Sequence, residues 1–271
     1  MKRILVFLTI IISAFSAYAT GPAPDILVWK GDTLQVFSNP LELRSDIDSL
    51  RPKLFGIEEA GVNTACWRGY IAEWKIVAKE LYLTNILSCE YFQDSIKADL
   101  ETVFPSEFES GLVKATWVTG TFLIPKGKLI HYVHSGYDSF YETELVLTFD
   151  HGRLVDQRTY DNSKSHKSVY LQYPDSLASF IYRNIDWSII SKLDTGKIKV
   201  FVQLQSGKTS QPDSVKIMLG TKNQRVDQEI TRVINNLPDW DVYYRLGEVY
   251  PMKWAVPIIL DEKRRKKYSS E

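Results

Sequence analysis

Between residues 173 and 260 the chain sets out strand-like and helix-like signals in an order that few folds accommodate. Gly196-Lys-Ile-Lys-Val-Phe-Val-Gln-Leu204 alternates apolar and polar side chains, the pattern of a strand buried on one face. Ser206-Gly207 supplies a turn, and Ser214-Val-Lys-Ile-Met-Leu219 is a second strand. A helix is expected over 175–184, directly after Tyr173-Pro174, since proline suits the first helical position. Another is expected over 223–236, where Ile230, Val233, Ile234 and Leu237 recur at three-to-four spacing and form a core face. Leu237-Pro238-Asp239-Trp240 then makes a corner, and Trp254-Ala-Val-Pro-Ile-Ile-Leu260 is the last strand. The whole reads as one small α+β unit.

The residues that carry a resemblance are the 196–204 strand, the Asp227-containing helix, the Pro238-x-Trp240 corner, the Gly247 turn and the closing Val256-Pro257-Ile258, in that order. This succession resembles the C-terminal domain of TonB, the periplasmic end of the energy transducer of Gram-negative bacteria, in its Bacteroidetes form. It departs from that family in placing Asp175-Ser176 after the Tyr-Pro pair, and in showing no long proline-rich spacer. The resemblance implies two helices packed on a three-stranded antiparallel sheet over residues 171–262. It also implies a binding role, in which an extended peptide from an outer-membrane protein pairs with an open sheet edge. The matching edge here is Lys253, Trp254, Ala255, Val256, Pro257, Ile258, Ile259 and Leu260. Pro257 suits an edge because it cannot donate to a ladder, and Lys253 discourages unwanted pairing. Tyr173, Pro174, Pro238 and Trp240 are expected to be structural, with core packing by Trp240 weighed against ligand contact. A homodimer through sheet edges is a further expectation.

Met1-Lys2-Arg3 is basic, residues 4–15 are apolar, and Ala17-Tyr18-Ala19 is a small-x-small site, which together read as a cleavable secretory signal over 1–19. The apolar core is shorter than the roughly 20 residues of a membrane span. The expected location is therefore the periplasm, without a stable membrane span. The alternative keeps the segment as an inner-membrane anchor and makes the chain a TonB-family transducer for outer-membrane transport.

Residues 20–157 are expected to form a mostly antiparallel β domain, a curved sheet or partly open barrel, giving an α+β protein overall. Residues 27–30 and 33–37 flank Gly31-Asp32 as a hairpin. A second hairpin joins 67–76 to 81–87 through Ala78-Lys79, with Tyr70, Ala72, Trp74 and Ile76 on one face and Leu81, Leu83 and Asn85 on the matching one. Further strands are expected over 112–124, 127–134 and 141–149, followed by a turn at Asp150-His151-Gly152. The two cysteines, Cys66 and Cys89, bracket the second hairpin. If residues facing each other sum to about 155, the pair lies within disulfide reach, and an exported chain favours the bond.

Counting from residue 20, there are 14 basic and 21 acidic residues up to Ser165, and 17 basic and 12 acidic beyond it. The excess of the second part sits in Lys263, Arg264, Arg265, Lys266 and Lys267, read as a solvated basic tail over 263–271. With Tyr268 as its one aromatic, that tail is no nucleic-acid surface. Residues 158–170 are polar, and are expected to be a short linker that holds the two domains close together.

His131-x-x-His134 lies in a strand-like run, where three-residue spacing points the rings to opposite faces, so no metal is expected. No nucleophile elbow, phosphate loop, dinucleotide fingerprint or metalloprotease motif is present, and no cofactor or catalytic residue is assigned. The leading reading is a periplasmic binding or adaptor protein. An enzyme with Trp67, Trp74 and Trp117 lining a cleft in the first domain is a further alternative.

Overall fold

The computed structural model describes residues 21–56, 63–190 and 196–269; the leader expected over 1–19 lies outside them. The chain is mixed α/β with strand predominating, 24% helix against 39% strand, and its sheets are antiparallel but for one pair. Two separate sets of buried side chains form its cores.

The first core lies inside a nine-stranded sheet. Strands β1 (Asp25–Trp29) and β2 (Asp32–Val36) form the first hairpin, turning at Lys30 and Gly31 with φ of 54° and 88°. The turn therefore falls one residue earlier than Gly31-Asp32, with Gly31 taking the left-handed conformation that glycine tolerates best. After the short helix α1 (Ile47–Leu50), β3 (Tyr70–Val77) returns parallel to β1, a pairing that the alternation of single strands cannot foretell. Strand β4 (Glu80–Ser88) follows after Ala78 and Lys79, as expected. Two helical turns, α2 (Tyr91–Asp94) and α3 (Leu100–Val103), and two short strands, β5 (Phe108–Glu109) and β6 (Leu112–Lys114), lead into the long strands β7 (Gly120–His131), β8 (Phe140–Asp150) and β9 (Arg153–Asp161).

The order β2-β1-β3-β4-β9-β8-β7 curls until its two ends meet. The Phe37 N–H donates to the Leu123 carbonyl at 2.7 Å, and the Ser38 hydroxyl donates to that of Thr121 at 3.1 Å. The enclosed rings of Trp74, Phe122 and Phe149 pack at 6.3 and 4.6 Å, and all three side chains are buried. Inside the same barrel Asp25 and Arg68 are both fully buried and ion-paired at 3.2 Å, with the Trp74 indole and the Ala72 N–H also donating to the carboxylate.

Two expectations about the second hairpin need correction. A bulge between Glu73 and Trp74 shifts the register, so Ile86 instead of Asn85 joins Leu81 and Leu83 in the core, while Asn85 hydrogen-bonds Glu73. Opposed residues, such as Val77 with Glu80 and Tyr70 with Ser88, sum to 157 or 158 and not to 155. Cys66 and Cys89 are nonetheless disulfide-bonded, with Cα atoms 5.9 Å apart. The reason is a turn outside the ladder, in which the Gly69 N–H donates to the Cys66 carbonyl and brings Cys66 back beside β4.

The stretch expected as an exposed linker is built differently. Residues 158–161 end β9, Asn162 is fully buried, and His166 exchanges two backbone hydrogen bonds with Val242 at 2.8 and 2.9 Å. The Ser168 N–H donates to the buried carboxylate of Asp241 at 2.6 Å. Asn162 and Ser168 therefore find partners inside the protein, while Ser163, Lys164, His166 and Lys167 stay exposed as the sequence suggested.

Beyond α4 (Val169–Gln172) comes α5 (Pro174–Asn184), with Tyr173 exposed at its N-cap and Pro174 in its first turn. Then follow β10 (Ile198–Gln205), β11 (Ser214–Leu219), α6 (Gln224–Asn235), the small hairpin β12 (Tyr244–Arg245) and β13 (Glu248–Val249), β14 (Lys253–Leu260) and α7 (Glu262–Tyr268). The antiparallel sheet runs β11-β10-β14. Leu177 and Ile181 of α5 and Ile230, Val233 and Ile234 of α6 share a core with Val200, Val202, Leu204, Ile258 and Leu260, so both helices lie on one face of the sheet. The basic tail forms a helix with Lys263, Lys266 and Lys267 exposed. The Asp261 side chain caps it by accepting from the Arg264 N–H at 2.8 Å, and Tyr268 packs against Tyr182.

Candidate functional site

The chemistry of the second sheet is set by which backbone groups it leaves unused. Residues 204, 202, 200 and 198 of β10 oppose 254, 256, 258 and 260 of β14. The Gln205 carbonyl accepts from Asp213 on the β11 side, so the odd-numbered residues of β10 turn toward β11 and the even-numbered ones toward β14. On β14 the outward residues are consequently Lys253, Ala255, Pro257 and Ile259. Their N–H and C=O groups point away from β10, and among the described residues no further strand pairs with them.

Pro257 falls on one of these outward positions, where its missing N–H removes no hydrogen bond from the sheet. Ile259 is the exception along the edge: its N–H donates to the Tyr182 hydroxyl at 3.0 Å. Tyr182, on α5, thus seals the C-terminal end of the edge and leaves the stretch from Lys253 to Pro257 as the open part. No sequence motif announces this role; an aromatic on the buried face of an amphipathic helix reads as core.

The side chains of the edge divide by face. Trp254 and Val256 are half-buried against the core, and Ile258 and Leu260 are buried within it, whereas Lys253, Ala255 and Pro257 are exposed and Ile259 is half-buried. Trp254 also meets the first core's sheet, with its ring 5.9 Å from that of His131. Burial and the nearby Lys167 hold the His131 imidazole below its ordinary value, which favours the neutral ring beside Trp254, Tyr243 and Phe140. His134 instead contacts Tyr132, so the two histidines go separate ways.

The rest of the corner is structural in its contacts. Trp240 is fully buried in the second core and its backbone N–H donates to the Ser210 carbonyl at 2.8 Å, while Pro238 is exposed. Gly247 has φ of 74° and donates its N–H to Asn162 Oδ1 at 2.9 Å, beside the Leu246 N–H on Glu144 Oε2 at 2.7 Å. The Asn162 amide in turn donates to Glu144 at 2.8 Å. The β12–β13 hairpin is therefore a peg set into the first sheet, and it fixes the start of β14 relative to the barrel. This clamp is missed by sequence reading because its partners, Glu144, Asn162 and Gly247, are far apart in the chain.

The aromatic residues of the enzyme alternative are not gathered at one opening: Trp74 is fully buried, Trp117 packs against the first core, and Trp67 is 56% exposed near the disulfide. Among the described residues no three His, Cys, Asp or Glu side chains are placed to hold a metal, and no helix is long and apolar enough to cross a membrane. No family model, no curated protein and no solved structure matches the chain.

Proposed function

We propose that this chain is an exported, periplasmic binding or adaptor protein whose TonB-like C-terminal unit, residues 171–262, takes up an extended segment of a partner as an added strand beside β14. The single observation that carries the reading is the outward set Lys253, Ala255 and Pro257. A proline is placed where it removes no ladder bond, and among the described residues no strand pairs with the neighbouring backbone groups. Strand addition of this kind draws affinity from backbone hydrogen bonds, each contributing about 1 kcal/mol net, and specificity from alternate side chains. The leader over 1–19 and the disulfide between Cys66 and Cys89 support an oxidising compartment outside the cytoplasm. The partner in this reading is a peptide or an outer-membrane protein, and the barrel provides a rigid base for the edge.

The test is crosslinking in intact cells, comparing the natural chain with Ala255→Pro. Proline at 255 removes an outward N–H and leaves the pairing with β10 intact, as Pro257 already does. The reading predicts that a partner captured by the natural chain is lost with Ala255→Pro; recovery of that partner in undiminished yield contradicts it. Sequencing the purified protein's N-terminus tests export, with Thr20 expected first and Met1 counting against a cleaved leader.

A further inference from the structure

The face of the second sheet that α5 and α6 do not cover carries a pattern of its own. Register places Lys199, Phe201, Gln203 and Gln205 of β10, Lys216 and Leu219 of β11, and Lys253, Ala255, Pro257 and Ile259 of β14 on this one side. Its centre is apolar and open: Phe201 pairs with both Leu219 and Pro257, and Phe201 and Leu219 are 37% and 53% exposed. Each strand contributes one lysine, all three exposed, and the three strands contain no acidic residue. Among the described residues none of these lysines is in an ion pair. The carboxylates at the strand ends do not neutralise them, because Asp213 falls at the opposite parity and Asp261 is tied to Arg264 at the start of α7.

We infer that this face is a docking surface for an acidic polypeptide segment bearing apolar side chains between its carboxylates. An open face of an antiparallel sheet is ordinarily polar and mixed in charge, so that water covers it without penalty. Here a hydrophobic centre is ringed by a single sign of charge, the arrangement that buries apolar area in the middle and pairs charges at the rim. Complementarity selects carboxylates. The inference rests on side chains, including Lys199, Phe201, Lys216 and Leu219 away from β14, and not on the outward backbone groups of β14, so it is tested separately from strand addition.

The experiment is selection of random twelve-residue displayed peptides on the full-length disulfide-bonded chain, followed by fluorescence anisotropy with the enriched peptides. Enriched sequences should carry net negative charge with interspersed aliphatic or aromatic residues. Lys216→Glu, which lies on β11 and away from the β14 edge, should weaken them about tenfold at low salt, and the loss should shrink as added salt screens the face. Leu219→Ser should weaken them as well. Ala255→Pro separates the two ideas: peptides that keep their affinity for that variant and lose it on Lys216→Glu bind the face alone. Peptides lost on Ala255→Pro but indifferent to Lys216→Glu overturn the acidic-segment inference and leave edge pairing standing. Enrichment of neutral or basic peptides, or no enrichment, overturns it too. So does self-association that Lys216→Glu abolishes, because the occupant is then the acidic first part of a second copy.

Discussion

The two larger sheets among the described residues treat their edges in opposite ways. The barrel brings its terminal strands together through Phe37 and Ser38 on one side and Leu123 and Thr121 on the other, which narrows the edge that would invite another chain. Among the described residues, no strand pairs with the outer sides of β11 and β14, and α5 and α6 cover one face of the three-stranded sheet only. This sheet compensates with devices that are cheap in sequence, a proline at an outward position, Pro257, and a lysine at the start of the same strand, Lys253. Closure is what a scaffold needs, and openness is what a recognition element needs. The clamp of Glu144 and Asn162 on Leu246 and Gly247 joins the two, so that the open edge is carried on a closed base.

The largest effect expected from breaking this contrast lies inside the barrel. Asp25→Ala leaves Arg68 buried without its carboxylate, and should lower the free energy of unfolding by about 3–5 kcal/mol, measured by denaturant titration. A loss below about 1 kcal/mol would mean that the barrel interior relaxes or admits water, and is not the rigid base described. Replacing Cys66 and Cys89 together by serine should cost about 3 kcal/mol in the same assay, because the disulfide constrains the unfolded chain. That variant should still bind whatever the natural chain binds, since the edge belongs to the other core. Loss of binding in a folded double-serine variant would tie the two regions together more tightly than the clamp alone.

A smaller effect depends on pH. Burial pushes the Asp25 carboxyl up to about 6 from 3.8, against the opposing influence of Arg68. The folded chain therefore holds a proton that the unfolded chain releases between those values. The contribution of this group to stability is complete below the unfolded value and disappears as the pH rises through the folded one. Relative to Asp25→Asn, the natural chain should lose stability between pH 4 and pH 7. A constant difference between the two across that range would show that the carboxyl titrates normally.

Local signals were enough for the hairpins, since Ala78-Lys79 and His151-Gly152 turn where the alternation breaks, and for the α6 face, where Ile230, Val233, Ile234 and Leu237 are all buried. The three-stranded antiparallel sheet is the one the resemblance implied, and Pro257 falls on its edge strand. What the chain concealed is non-local. The parallel pairing of β1 with β3 depends on where the crossover lands, and the bulge at Glu73 exchanges Asn85 for Ile86 without any glycine to mark it. The polar run before α4 looks like a linker because its partners Val242, Asp239 and Asp241 come some seventy residues later. In the same way α7 looks like a charged end until Asp261 is seen to cap it and Tyr268 to pack on Tyr182. At the candidate site the strand itself was legible, but its seal at Ile259 by Tyr182 was not.

The central claim is that the backbone of β14 from Lys253 to Pro257 pairs with a partner strand. It is tested most directly by amide hydrogen exchange, read residue by residue by NMR, on the full chain alone and saturated with a peptide selected on it. The account predicts that the Lys253 and Ala255 amides exchange quickly in the free protein and are slowed at least about tenfold when the peptide is bound, while the Ile259 amide, already held by Tyr182, changes little. Unchanged exchange at Lys253 and Ala255 in the saturated complex would contradict it.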